Sequence, residues 1–219
     1  MKNVKWVFFD LDGTLADSLS VMYQVYLDFL KEFDVQGSKE EFQDINGPAL
    51  PEIIALLKSR YELKDSHESL KELYAQKIQD AYRELVLPFG DAEAVLNEVK
   101  QMGYQLMLTT AAASTVAKGF IDKNKWSDYF DAYVCGDEVV NAKPDPEIYT
   151  RALEKAEIES DHAVIVEDSV NGVLAAKAAS VYTIGVAADR SVDELKDAKA
   201  DMVVTSLSEV VSLFQKVGQ

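Results

Sequence analysis

The stretch Trp6-Val7-Phe8-Phe9-Asp10-Leu11-Asp12-Gly13-Thr14 decides the predicted fold. It begins with four apolar residues and continues with an acid, a spacer, a second acid, a glycine and a hydroxyl. A short apolar run bounded by turn residues predicts a strand buried on both faces, as in the middle of a parallel sheet. Ligands of open α/β sheets bind beyond the carboxyl ends of such strands, so we expect Asp10 and Asp12 to lie at a functional site.

Asp10 and Asp12 form the first candidate pair of reactive groups. They are two residues apart, so on an extended chain their side chains point the same way. Two neighbouring carboxylates repel, so either one is protonated or a cation lies between them. Mg²⁺ suits oxygen ligands of this kind. The alternative to a metal site is an acidic loop that caps the following helix, and only residues elsewhere in the chain distinguish the two interpretations.

The composition narrows the class of protein and of partner. The chain has 219 residues, enough for a substantial core. Its 38 acidic residues outnumber 22 basic ones, which gives a formal net charge of −16. This charge repels nucleic acid and anionic membranes, so we expect neither as a partner, and an anionic substrate needs local cations. Cys135 is the single cysteine, and no segment resembles a membrane span or signal core, so we expect a cytoplasmic protein.

The order of predicted elements indicates two domains. Residues 15–86 show apolar positions at three- and four-residue spacing, which predicts consecutive helices without a convincing strand. From Pro88 onward, predicted strands and helices alternate, which indicates a parallel sheet with helices on both faces. We therefore predict an α/β core with a Rossmann-like parallel sheet, formed by residues 1–16 and 87–219. Residues 17–86 form the predicted inserted helical domain.

Polar or charged residues follow four of the predicted strands. Because the carboxyl ends of parallel strands meet at one edge of a sheet, we expect these residues to converge. In chain order they are Asp10 and Asp12, Thr110 and Ala111, Lys143-Pro144, and Glu167-Asp168-Ser169. Acids, a hydroxyl and a lysine would then share one site.

These four groups, in this order, resemble the motifs of the haloacid dehalogenase superfamily of phosphohydrolases. The first motif is Asp10-Leu11-Asp12-Gly13-Thr14-Leu15, followed by Thr110, Lys143-Pro144 and Glu167-Asp168-Ser169. The resemblance covers nearly the whole core, and the helical insert resembles the family's helical cap. Within the superfamily, the chain is similar to the phosphoglycolate phosphatase and beta-phosphoglucomutase-like members.

The resemblance implies roles for the acids. Asp10 is then the nucleophile that becomes an aspartyl phosphate, and Asp12 gives a proton to the leaving oxygen and later takes one from water. Mg²⁺ is then held by the Asp10 carboxylate, the Asp12 backbone carbonyl and the Asp168 carboxylate. Glu167 is a further expected metal ligand, directly or through water.

The resemblance also implies the groups that bind the substrate phosphate. They are Thr110, the backbone N–H of Ala111, and Lys143, which supplies the local positive charge. Relatives often have Asn or Ser after the threonine, whereas this chain has three alanines at 111–113. Few side-chain donors to the phosphate are therefore left, and Ser114 is the nearest hydroxyl.

The implied function is a Mg²⁺-dependent phosphatase, a phosphoric monoester hydrolase acting on a small phosphorylated metabolite as a monomer or homodimer. Asp12 argues against dehalogenases and phosphonate hydrolases of the superfamily, which lack the second acid. A sugar phosphomutase is the alternative, although Gly47-Pro48-Ala49-Leu50 lacks the arginine of the mutase cap, and Met22 lies near the position where mutases tend to have a histidine. A non-catalytic binding module on the same scaffold is a third hypothesis, less favoured than either enzyme.

Overall fold

A six-stranded parallel sheet forms the centre of the larger unit in the computed structural model, which describes residues 3–45, 48–188 and 191–217. The strands are β1 (Trp6–Phe9), β4 (Gln105–Thr109), β5 (Ala132–Val134), β6 (Ala163–Glu167), β7 (Tyr182–Val186) and β8 (Met202–Val204). Their order is β5-β4-β1-β6-β7-β8, and all neighbouring pairs are parallel. Two short strands, β2 (Ala16–Asp17) and β3 (Leu87–Pro88), pair with each other. The predicted α/β fold class is confirmed.

Strand β1 lies between β4 and β6, as its apolar sequence predicts. Phe8 is paired with Met107 on one side and with Ile165 on the other. Val7, Phe8 and Phe9 are fully buried. Hydrogen bonds to two neighbouring strands satisfy the backbone, and both faces of the strand are covered by side chains. The acids that follow β1 therefore start from a rigid, central position.

The helices of the core alternate with the strands, as predicted. They are α5 (Ala92–Gln101), α6 (Ser114–Lys123), α7 (Glu147–Ala156), α8 (Val170–Ala178), α9 (Val192–Asp197) and α10 (Ser208–Val217). Two 3₁₀ turns, Gly136–Glu138 and Ser160–His162, were not predicted because single turns carry no helical periodicity. Among the described residues, no helix combines the length and the apolar character that crossing a membrane requires.

Residues 18–87 form a second compact unit, separate from the unit within 1–17 and 88–219. Its helices are α1 (Leu19–Lys31), α2 (Lys39–Ile45), α3 (Leu50–Arg60) and α4 (His67–Glu84). Helix α4 begins at His67, because Ser66 is its N-cap and accepts the N–H of Ser69. The assignment of this unit as a cap domain stays a prediction.

Glu41 is a buried carboxylate at the centre of polar contacts in the helical unit, with 7% of its surface exposed. It accepts hydrogen bonds from the hydroxyls of Tyr26, at 2.5 Å, and of Tyr61, and it pairs with Arg60 at 2.8 Å. Its N–H donates to Ser38 Oγ, which is the N-cap half of a capping box, a pattern that the spacing of Ser38 and Glu41 also predicts. The Glu41 side chain turns to the tyrosines and joins α1 and α2 to the end of α3.

The contacts of Glu41 decide its charge. Burial raises the pKa of this carboxyl, but the hydrogen bonds from Tyr26, Tyr61 and Arg60 outweigh burial and leave the pKa below its ordinary value of 4.5. A carboxyl with a lowered pKa in the folded state stabilises the fold above its unfolded pKa. That contribution is lost as pH falls through the lower, folded pKa.

Replacing Glu41 with Gln should lower the free energy of unfolding at pH 7 by about 1–3 kcal/mol, because two hydroxyl donors and Arg60 lose a charged acceptor. Urea denaturation followed by circular dichroism measures this difference. The gap between wild type and variant should narrow as pH falls below 4.5. Glu72→Gln, at an exposed position of α4, is the control and should leave stability unchanged. Equal stability of Glu41→Gln and wild type at pH 7 would contradict the prediction.

Candidate active site

Neighbouring strands place their last residues at one edge of the sheet. Asp10 directly follows β1, and its N–H donates to the carbonyl of Val166 in β6 at 3.0 Å. Thr110 directly follows β4, and its N–H donates to the carbonyl of Val134 in β5 at 3.0 Å. Glu167 is the last residue of β6. Main-chain pairing thus continues past the strands, so the side chains at this edge have a fixed register.

A tight turn follows Asp10 and brings the first and last motifs together. The carbonyl of Leu11 accepts the N–H groups of residues 14–16 at 2.8 to 3.3 Å. Gly13 has φ +81°, a backbone conformation that residues other than glycine rarely adopt. A Cβ at Gly13 would also lie 2.3 Å from Asp168 Oδ2. The glycine is therefore required both by the turn and by the close approach of the Asp168 carboxylate.

Lys143 contacts two of the predicted site acids. Its Nζ lies 2.6 Å from Asp10 Oδ1 and 2.5 Å from Glu167 Oε1, and only 8% of its side chain is exposed. The Nζ also lies over the ring of Tyr149, 5.2 Å from the centroid. Burial lowers the pKa of Lys143, but attraction to Asp10 and Glu167 raises it well above the ordinary lysine value. The lysine is therefore a permanent positive charge within the acidic group.

Glu167 is fully buried, and both of its oxygens accept hydrogen bonds. Oε1 accepts from Lys143 and from the Tyr149 hydroxyl at 3.0 Å. Oε2 accepts the N–H of Ser169 at 2.9 Å and its hydroxyl at 3.0 Å. A Cβ at Gly172 would lie 1.7 Å from Oε1, so α8 packs directly against this carboxylate. Burial raises the pKa of Glu167, but Lys143 and Ser169 outweigh it and lower the pKa below its ordinary value.

Asp10, Glu167 and Asp168 form a group in which one carboxylate oxygen of each residue lies within 4.8 Å of the other two. All three are buried. Burial raises the pKa of Asp10 well above its ordinary value; Lys143 opposes this shift, while the charges of Glu167, Asp168 and Asp12 add to it. Clustered carboxylate oxygens are the donors that hard divalent cations take, so the residues present fit such an ion. The side chain of Asp12 is half-buried, and it is not part of this group.

The segment after β4 carries the other predicted site residues. Thr110 is fully buried, and its Oγ1 accepts the N–H of Ala112 at 3.0 Å. Among the hydrogen bonds of the described residues, none uses the N–H of Ala111. Ser114 donates its N–H to Asp137 Oδ1 at 2.9 Å and its hydroxyl to Oδ2 at 2.6 Å. The Ser114 hydroxyl, the first side-chain hydroxyl after the three alanines, is therefore bonded to Asp137, which comes from another element.

Sequence reasoning missed two side chains that shape the site. Tyr149 occupies the buried face of α7, where apolar spacing predicts a core residue but not a polar contact. A hydroxyl on a fully buried face was the signal, because such a group needs a partner. Asp137 follows β5 at a strand end, which is the position that singled out the other site residues.

Comparisons with known proteins show which family the chain belongs to. The family model for haloacid dehalogenase-like hydrolases matches residues 7–186. A phosphorylated carbohydrates phosphatase of Thermotoga maritima is 32% identical over 195 residues, which cover 89% of this chain and 88% of that protein. Pyrophosphatase PpaX of Bacillus velezensis is 31% identical over 188 residues, which cover 85% and 84% of the two chains.

A solved structure gives the same result for the fold. The crystal structure of a Thermotoga maritima protein, provisionally assigned as a beta-phosphoglucomutase, has a TM-score of 0.79 and 29% identity, and the match covers 98% of this chain and 100% of that one. These comparisons confirm the predicted family and the prediction of a phosphatase-type hydrolase. The chain belongs to the haloacid dehalogenase-like hydrolase family.

Proposed function

We propose that this chain is a Mg²⁺-dependent phosphatase that hydrolyses a small phosphorylated metabolite through a phosphorylated Asp10. One observation carries the proposal: the Asp10 carboxylate ends the central strand, bonded to Lys143 and clustered with Glu167 and Asp168. A carboxylate nucleophile needs positive charge beside it to approach an anionic phosphoryl group. The names of the Thermotoga and Bacillus relatives support phosphate-releasing chemistry but do not identify one common substrate.

In the proposed reaction, Asp10 and Asp12 divide the chemistry. A carboxylate oxygen of Asp10 attacks phosphorus, the bond from phosphorus to the ester oxygen breaks, and Asp12 gives its proton to that leaving oxygen. Asp12 then takes a proton from water, whose oxygen attacks phosphorus and releases inorganic phosphate and the Asp10 carboxylate. A group that alternates between acid and base suits both steps. The position of Asp12 two residues after Asp10, beyond the same strand, supports this pairing.

Lys143, Thr110 and Ala111 are the proposed phosphate ligands. Lys143 brings the positive charge that a strongly acidic chain otherwise withholds from an anion. Thr110 Oγ1 already accepts an N–H from Ala112, so its hydroxyl hydrogen is left to donate to a phosphate oxygen. The N–H of Ala111 is the proposed second donor of this segment.

A divalent cation fits the acidic group, and Mg²⁺ is the proposed ion. The Asp10 and Asp168 carboxylates and the backbone carbonyl of Asp12 would hold it, with Glu167 as a further ligand, directly or through water. When bound, the ion offsets the repulsion between the phosphoryl group and the carboxylates. The close packing of Gly13 against Asp168 would keep that carboxylate beside the first motif.

The sugar phosphomutase remains the second candidate, because one similar structure carries a provisional mutase assignment. The cap segment that argued against a mutase begins at Gly47, which lies outside the described residues. The sequence still lacks an arginine at 47–50, and this supports the phosphatase. A hexose 1-phosphate offered with a bisphosphate primer separates the two, because a mutase yields hexose 6-phosphate and a phosphatase yields free phosphate.

The proposed setting is a cytoplasmic monomer or homodimer whose partner is a small phosphorylated metabolite. The net charge of −16 supports a protein that does not bind nucleic acid or anionic membranes. Cys135 is free and buried, and burial raises its pKa to about 11, so it is a poor nucleophile. Neither feature identifies the metabolite.

Replacing Asp10 with Asn should abolish phosphate release from a panel of phosphorylated metabolites with Mg²⁺. We expect a loss of at least about 10³-fold, because the amide cannot accept the phosphoryl group. Asp193→Asn is the control, since the Asp193 side chain is 90% exposed. Undiminished turnover by Asp10→Asn would refute the assignment. A wild-type protein that binds a metabolite of the panel but releases no phosphate would instead indicate a binding module.

Magnesium should raise the melting temperature of the wild-type protein relative to a chelator, because ligand binding to the folded state stabilises it. The rise should be smaller for Asp168→Asn, which loses one proposed carboxylate ligand. Asp193→Asn should behave like wild type. Thermal denaturation with millimolar MgCl₂ and with chelator measures these shifts. If the melting temperature and the turnover of the wild-type protein are the same with MgCl₂ and with chelator, the proposed divalent-metal site is wrong.

Replacing Lys143 with Met should lower the free energy of unfolding in chelator by about 3–5 kcal/mol, because two buried carboxylates lose their shared cation. Urea denaturation measures the loss. Lys177→Met is a matched control, because Lys177 Nζ also lies 2.6 Å from a carboxylate, that of Asp201, but in a more exposed pair. We expect that control to lose no more than about 1 kcal/mol. Equal losses in the two variants would contradict the importance of burial.

A further inference from the structure

Gly136 and Asp137, which follow strand β5, contact the segment 110–114 and hold it in place. The N–H of Gly136 donates to the carbonyl of Ala112 at 2.9 Å. A Cβ at Gly136 would lie 2.1 Å from the carbonyl oxygen of Ala111, so only glycine allows the two backbones to approach this closely. Asp137 accepts both the N–H and the hydroxyl of Ser114. We call Gly136 and Asp137 the 136–137 clamp.

The clamp replaces what the sequence of the segment lacks. Helix α6 starts at Ser114, and its N-cap residue is Ala113, which has no side-chain acceptor. Asp137 supplies that acceptor from another element. Burial raises the pKa of Asp137, but the bonds from Ser114 outweigh burial and lower the pKa below its ordinary value, so the carboxylate is charged at neutral pH. The start of α6 is therefore set by a residue more than twenty positions away in the sequence.

Apart from the Thr110 hydroxyl, the donors that residues 110–113 can offer a phosphate are backbone N–H groups, since residues 111–113 are alanines. A hydrogen bond weakens steeply when its angle departs from linearity, so backbone donors bind only in one segment conformation. The segment is fixed on both sides of Ala112: its N–H bonds to Thr110 Oγ1, and its carbonyl bonds to Gly136. Movement at the clamp would therefore turn the Ala111 N–H away and disturb the Ala112 bond that orients the Thr110 hydroxyl.

We propose that Gly136 and Asp137 are positioning residues that set the conformation in which segment 110–112 binds the substrate phosphate. This inference rests on the proposed function, because it assumes that the segment contacts phosphate. In this proposal both clamp residues act through segment 110–114 and do not bind the phosphate themselves. A purely structural clamp would change stability alone, whereas a positioning clamp changes the affinity for phosphate.

The test compares inhibition by inorganic phosphate in clamp variants and in matched controls. Asp137→Ala removes both bonds to Ser114, and Gly136→Ala forces the Ala111 backbone to move. We expect either change to raise the inhibition constant of phosphate and the KM for substrate by about tenfold, as misplaced binding groups do. Asp91→Ala and Gly119→Ala are the controls and should leave both constants unchanged.

The two controls match the clamp residues in chemistry. Asp91 Oδ2 accepts the N–H of Ser208, the first residue of α10, at 2.9 Å, so it caps a helix from a distance as Asp137 does. Gly119 lies within α6, and a Cβ there would meet nothing within 4 Å. Both lie outside segment 110–114, and neither has a proposed role in binding.

Ser114→Ala keeps the main-chain bond to Asp137 and loses only the hydroxyl bond, so it serves as the mild variant that keeps its fold. It should raise the inhibition constant about threefold, between wild type and Asp137→Ala. Asp137→Asn keeps an acceptor for the Ser114 N–H and should recover part of the affinity that Asp137→Ala loses. Circular dichroism at the assay temperature verifies that each compared variant is folded.

Unchanged phosphate inhibition in folded Asp137→Ala and Ser114→Ala would overturn the inference. Equal rises in the clamp variants and in Asp91→Ala would overturn it as well, because any lost cap would then act alike. The proposed function fails separately, if Asp10→Asn still releases phosphate. An enzyme inactivated by Asp10→Asn, yet insensitive to the clamp changes, would keep the function and reject the clamp.

Discussion

The buried ion pairs of Lys143 are the interaction on which the site depends. One ammonium group bonds to Asp10 after β1 and to Glu167 at the end of β6, so two neighbouring strands share a cation. Carboxylates this close and this buried would otherwise repel or take up protons. Because burial makes each charge costly, the pairs persist only with good geometry and further hydrogen bonds, which Tyr149 and Ser169 supply to Glu167.

Close backbone packing supplies the rigidity that this charge arrangement needs. At three glycines a side chain would collide with site groups: Gly13 with Asp168, Gly172 with Glu167, and Gly136 with the carbonyl of Ala111. The contacts of Gly13 and Gly136 join the segment after one strand to the end of a neighbouring strand, and the contact of Gly172 packs α8 against the end of β6. Catalytic groups act best when their supports fix them before the substrate arrives, because little reorganisation is then needed during the reaction. The glycines therefore belong to the site, although they bring no chemistry of their own.

Sequence patterns predicted the parts of this protein that depend on local order. Strand β1 matches the apolar run at residues 6–9, and Asp10, Lys143 and Glu167 converge as the parallel topology predicts. Contacts between distant positions were beyond such patterns. Periodicity predicts that Tyr149 is buried but not that its hydroxyl donates to Glu167. In the same way, the spacing of Ser38 and Glu41 is typical of a capping box but does not show that two tyrosine hydroxyls donate to the Glu41 carboxylate.

The charges of the candidate site explain why this acidic protein needs an additional positive charge to bind an anionic substrate there. Asp10, Glu167 and Asp168 carry three negative charges when ionised, and Lys143 carries one positive charge, so this group of four has a formal charge of −2. Lys143 alone therefore does not neutralise the group, and a phosphate dianion beside Lys143 would still meet a net negative charge. A divalent cation held by these carboxylates would bring the group to neutrality, so that Lys143 could then contact a phosphate without net repulsion from the group. Selection between metabolites must then come from groups other than this charge cluster, because charge balance is the same for every phosphate ester.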